Sequence, residues 1–113
     1  MEIPENIRAE IIKMQQLQQQ LQMLMFQKQN AQIQTSEIEG ALKEITETAE
    51  KEAYEIVGNV MLKKTKEELN KGLTEKKDIL GIKMQSLDKQ IERIDKQVKE
   101  IQTKLNKQFK EAK

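Results

Sequence analysis

Apolar residues recur through the first half of the chain in alternating steps of four and three. The series runs Ile3, Ile7, Glu10, Met14, Leu17, Leu21, Leu24, Lys28, Ala31, Thr35, Ile38, Leu42, Ile45 and Ala49, and eleven of these fourteen positions are apolar. A seven-residue repeat kept this long predicts a helix that presents one seam to a partner helix. Pro4 suits the first turn, where its missing N–H removes no hydrogen bond. The block "QQLQQQLQ" belongs to the same helix, because Leu17 and Leu21 carry the period through it and leave the glutamines as a solvated face.

A second series occupies the other half: Leu73, Lys77, Leu80, Met84, Leu87, Ile91, Ile94, Val98, Ile101, Leu105, Gln108 and Ala112. From Leu80 to Leu105 every position is apolar, the strongest pattern in the chain. Gly40, Gly72 and Gly81 interrupt the helices at about 1 kcal/mol each relative to alanine, and Gly72 is a candidate bend. The run "TKEE" from Thr65 has Glu68 three residues after a hydroxyl, a capping box that marks the start of the second helix.

Between the seams the period changes. In "AYEIVGNVMLKK", residues 53 to 64, Tyr54, Ile56, Val57, Val60, Met61 and Leu62 favour extended backbone, and Gly58-Asn59 suits a tight hairpin turn. Two registers are open. A two-residue turn sets Val57 opposite Val60 and spreads apolar side chains over both faces; a three-residue loop gathers Tyr54, Ile56, Val60 and Leu62 on one face. Two strands alone are marginal in water and leave two unpaired edges, so they call for further strands. The expected division is helix over 1–52, hairpin over 53–65 and helix over 66–113, in a single domain.

Folding back at Gly58 makes the helices antiparallel, with residues whose numbers sum to roughly 117 side by side. Each arm would be about 65–70 Å long at 1.5 Å per residue. The expectation is a thin rod with the hairpin at one end and both termini at the other. Each seam residue removed from water contributes on the order of 1.5–3 kcal/mol before chain entropy is set against it. Ile11, Ile12 and Phe109 are surplus to a two-helix seam, so Ile3, Ile7, Ile11, Ile12, Leu105 and Phe109 form a candidate contact cluster at the free tip. Met23, Met25 and Phe26 widen the apolar face mid-arm, where methionine is expected to fill packing gaps.

Composition narrows the chemistry. Of the 113 residues 35% are charged and 3% aromatic, and there is neither Cys nor His. Long helices and coiled coils have this make-up. Without Cys there are no disulfides, which suits a reducing cytosol. With no His, no Cys, no glycine-rich phosphate loop and no metal-ligand spacing, an enzyme, a cofactor and a metal site are not expected. The net charge is +1, and the lysines at 63, 64, 66 and 71 are interleaved with Glu67 and Glu68, a salt-bridged face rather than a nucleic-acid surface. The longest apolar run of the N-terminal half, Met23 to Phe26, is far short of a signal segment or membrane span. A soluble, cytoplasmic protein is expected.

The helix–hairpin–helix plan, "MQQLQQQLQ" followed by "QKQ", and above all "GNVMLKKTKEEL" resemble the beta subunits of archaeal prefoldins, over almost the whole chain. That resemblance implies a jellyfish-shaped hetero-hexamer of two alpha and four beta subunits. Its hairpins assemble into an intersubunit β-barrel, from which six coiled coils hang. It also implies an ATP-independent chaperone, a holdase whose distal tips bind non-native proteins and pass them to a group II chaperonin. Tyr54, Ile56, Val57, Val60, Met61 and Leu62 then become the oligomerisation hairpin, and the tip cluster the client-binding surface. The chain stops soon after Phe109, at "KEAK", so a chaperonin contact made through a longer tail is not carried over. The alternative from the residues alone is a structural coiled-coil scaffold or tether, which would share both seams but has no use for free strand edges.

Overall fold

The computed structural model describes residues 3–111. Four elements follow in order: α1 (Glu5–Glu47), β1 (Glu52–Val57), β2 (Val60–Thr65) and α2 (Lys66–Glu111). The seam position Ala112 lies outside the described residues. Helix, hairpin, helix is therefore the architecture, as the two periods predict, and α2 runs through Gly72 and Gly81 without a break.

The helix ends have identifiable causes. Arg8 N–H donates to the Pro4 carbonyl at 3.0 Å, so Pro4 supplies the first acceptor of α1. At the other end α1 stops at Glu47, five residues short of the expected boundary, and leaves the seam position Ala49 exposed outside the helix. The last turn of α1 holds no basic residue of its own. Lys66 supplies one from the start of α2: its Nζ donates to the Thr46 carbonyl at 3.4 Å and the Thr48 carbonyl at 3.1 Å. A cation on the last carbonyls satisfies orphan acceptors and complements the helix dipole. The Lys66 backbone N–H donates to Lys51 O at 2.9 Å, carrying the hairpin's pairing one step further. The α2 start falls where the capping signature puts it, with Glu68 N–H donating to Thr65 Oγ1 at 3.1 Å.

The strands pair antiparallel, with Val57 opposite Val60, Ile56 opposite Met61, Glu55 opposite Leu62 and Tyr54 opposite Lys63. This is the two-residue turn. Gly58 has φ 61° and Asn59 does not have a positive φ, the arrangement of a II′ turn with glycine first. Paired residues share a face, so Val57, Val60 and Leu62 lie on one side and Tyr54, Ile56 and Met61 on the other. The three-residue alternative, with Tyr54, Ile56, Val60 and Leu62 on one face, is excluded by this register. A tight turn matches the natural twist of the strands and prevails over gathering apolar residues that have no core of their own to fill.

The chain divides into two compact units, one of residues Met1–Gln29 with Gln85–Lys113 and one of Asn30–Met84. In the first, Ile7, Ile101 and Leu105 form a buried cluster with Ile11, Met14 and Leu17 packed against it, and Leu87 and Val98 are buried as well. In the second, Ala31 and Leu69 are buried. There the Thr35 hydroxyl donates to the Ala31 carbonyl at 2.8 Å and lies 3.9 Å from Met84 Sδ across the pair of helices.

The charged residues on the seams each meet an opposite charge on the facing helix. Lys28 pairs with Asp88 at 2.6 Å and Glu10 with Lys104 at 3.0 Å in the first unit; Lys77 pairs with Glu39 at 3.3 Å in the second. All three obey the expected antiparallel register closely. Each pair is partly exposed, so each is worth only about 0–1 kcal/mol. Their effect is to penalise a slipped register, which would put an unpaired charge on the seam.

Candidate functional site

The hairpin carries the densest group of uncovered apolar side chains. Tyr54, Ile56, Val57, Val60, Met61 and Leu62 are 42–69% exposed. Both faces are apolar near the turn, and the sheet has two strands, so the outer edges of β1 and β2 have no strand beside them among the described residues. Free edges and two apolar faces on so small an element expose backbone donors and acceptors next to greasy surface.

One face is tied to α2 by charge. Glu55 receives Lys64 at 2.5 Å from the neighbouring strand and Lys76 at 3.5 Å from α2. The Lys64 hydrogen bond holds the Glu55 carboxyl below its ordinary range, and the same bond raises Lys64. On the other face Lys63 pairs with Glu52 at 2.8 Å. Below the Glu55 face lies a cleft of about 250 Å³ whose lining includes Leu69, Gly72, Leu73 and Ile79. Ile79 and Ile82 are exposed on α2 and Ile33 on α1, although none stood out in the sequence. They fall off the heptad seams, so the apolar period carries no signal for them.

The residues expected at the free tip separate into two groups. Ile7, 8% exposed, and Leu105, 6% exposed, belong to the buried cluster, and Ile11 packs half-buried against it. Ile3, Ile12 and Phe109 remain 44%, 49% and 48% exposed. The Gln108 amide oxygen, on a seam position, is buried without a donor. Met23, Met25 and Phe26 do not fill gaps in the seam as expected: all three are more than half exposed. Leu21, Leu24 and Lys28 occupy the buried side of α1 there.

Among the described residues no group of three or more His, Cys, Asp or Glu could hold a metal ion, and no helix is long and apolar enough to cross a membrane.

Two long helices joined by a two-stranded antiparallel hairpin define a helix–β-hairpin–helix fold. A family model described as "Prefoldin subunit" matches residues 8–112. The chain is 35% identical to the prefoldin subunit beta of Archaeoglobus fulgidus, over 92% of this chain and 90% of the relative. It is 34% identical to that of Pyrococcus furiosus, over 91% and 89%. Among solved structures, the prefoldin beta subunit from Thermococcus strain KS-1 superposes with a TM-score of 0.85 at 29% identity, covering 94% of each chain. The chain belongs to the prefoldin family, whose members are chaperone subunits rather than enzymes, and this membership implies a heteromeric complex.

Proposed function

We propose that this chain is a beta-type subunit of a cytoplasmic, ATP-independent holdase that binds non-native proteins at its helix ends and hands them to a group II chaperonin. In this reading two alpha and four beta subunits join through their hairpins into a β-barrel. The observation that carries it is the hairpin, with both edges open and both faces apolar on one two-stranded element. Such an element is marginal alone and is completed by strands of neighbouring chains.

Ile3, Ile12 and Phe109, with the half-buried Ile11, are the residues that meet the client. Ile7 and Leu105 hold the seam beneath them and join the contact only where the ends fray. Three or four side chains bind an exposed apolar segment weakly. Several such ends around one client raise avidity by on the order of 10²–10⁴ without any new type of contact. Weak individual contacts also release readily, which suits transfer. The test is suppression of aggregation of a guanidine-denatured enzyme diluted into buffer. The full chain assembled with an alpha-type subunit should suppress light scattering without nucleotide, and the same mixture with residues 53–64 deleted should not. Equal protection by both would refute the assembly-dependent mechanism.

A further inference from the structure

The outward face of α1 differs from that of α2 within the unit of Met1–Gln29 and Gln85–Lys113. Away from the seam, α1 presents a row at heptad spacing, Ala9, Ile12, Gln16, Gln19, Met23 and Phe26, all exposed and none charged. The corresponding row on α2 is Lys89, Arg93, Lys96, Glu100, Thr103 and Lys107, also all exposed, with five charges in six residues. Soluble helices ordinarily keep their outer faces charged, as α2 does. Met23 and Phe26, one turn apart on α1, are 62% and 63% exposed.

We propose that this uncharged flank of α1 is a second client contact, which takes an extended apolar segment of a non-native chain. The inference rests on the holdase reading above and extends the contact from the helix ends along the helix.

Three features select that occupant. With no charge in the row, the flank neither attracts nor repels a segment by its sign, and burying it strands no ion. Gln16 and Gln19 each offer donors and an acceptor to a bound backbone, which in an extended client has no internal partners. Met23 is unbranched and adapts to irregular apolar shapes. The spacing also fits: Ile12 and Met23 are three helical turns apart, about 16 Å, which an extended chain spans in roughly five residues.

A folded helix is a poorer occupant, because Gln16 and Gln19 break the continuous apolar seam that knobs-into-holes packing needs. A second copy of this chain is poorer still. The apolar surface offered by Ile12, Met23 and Phe26 is roughly 300–400 Å², short of the roughly 450–500 Å² of apolar area within the about 800 Å² per partner of a stable interface.

The test places a photo-crosslinking benzoylphenylalanine at Met23, at Phe109 or at Lys96 in the full chain in its assembled form, with reduced, carboxymethylated α-lactalbumin as the unfolded client. Crosslinks to the client are expected from Met23 and Phe109 and not from Lys96. M23Q/F26Q should raise the client Kd about fivefold with particle size and helix content unchanged. Crosslinks from Phe109 with none from Met23 would overturn the flank contact and leave the holdase reading standing. Crosslinks from Met23 to another copy of this chain, or an unchanged Kd for M23Q/F26Q, would also overturn it. No client crosslink at any position, together with no protection from aggregation, would overturn the holdase reading itself.

Discussion

The two units handle exposed apolar surface in different ways. In Asn30–Met84 six of the uncovered side chains sit on paired strands, with Ile33, Ile79 and Ile82 exposed on the helices, and one strand face is held to α2 through Glu55, Lys64 and Lys76. In Met1–Gln29 with Gln85–Lys113 they sit on the outside of helices whose seam is already closed by Ile7, Ile101 and Leu105. Strands with fixed register present one shape and one pattern of backbone hydrogen bonds, which suits a defined partner. Single residues on helix surfaces present small patches that tolerate many partners. On the function proposed above, similar apolar content yields a specific joint in one place and an adaptable surface in the other.

The largest effect should come from breaking the joint. The pair I56D/V60D puts a carboxylate on each face of the hairpin, since Ile56 shares a face with Met61 and Val60 with Val57. Sedimentation velocity should show the assembly collapsing to small species that keep their helix signal by circular dichroism. A particle of unchanged size would mean that the hairpin is not the joint.

Next in size is a contrast within the helix-end unit. L105A removes a buried seam residue and should cost about 2–4 kcal/mol in denaturant unfolding, the range for large-to-small core changes. F109S alters a half-exposed residue and should leave stability within about 0.5 kcal/mol, while lowering protection of a denatured client severalfold. Equal effects of the two on stability would erase the distinction drawn between seam and surface.

A smaller gain is expected from Q108L. The buried amide oxygen without a donor costs roughly 1–3 kcal/mol, so an apolar replacement should stabilise the unit by up to about that amount in the same assay. Destabilisation would indicate that the amide is satisfied in solution.

The smallest effect is on pH dependence. Glu55 has a lowered pKa in the fold, so its contribution is present above the ordinary carboxyl value of 4.5 and is lost as pH falls through the lowered value. Lys64 is raised, so its contribution is complete below 10.5 and is lost as pH climbs through the raised value. Amide exchange of the β1–β2 hydrogen bonds, corrected for intrinsic rates, should therefore be slowest between these limits. E55Q should remove the acid-side change, and a profile that E55Q leaves unchanged would rule out this ion pair as its cause.

Much of the architecture is legible in the sequence, because it is written in period. Each seam position from Ile7 to Ile45 and from Leu73 to Gln108 is buried or half-buried, including the polar Glu10, Lys28, Thr35 and Lys77. The Thr65 cap and the turn at Gly58 were likewise visible as local chemistry. Three things were not. The end of α1 at Glu47 depends on Lys66, nineteen residues further along, reaching back to the Thr46 and Thr48 carbonyls. The roles of Ile7 and Phe109 differ although both are apolar and near an end. Met23 and Phe26 looked like packing residues until their side of the helix was known.

The amino-acid order alone determined two helices, their antiparallel pairing and the extended segment between them. Repeats of seven and of two are properties of neighbouring residues and need no knowledge of the rest of the chain. Only the tertiary structure decided the hairpin's register, the partners of the seam charges, and which apolar residues near the helix ends stay in water. Those outcomes depend on which groups from distant parts of the chain come to lie within a few ångströms of one another, and a one-dimensional pattern does not encode that distance.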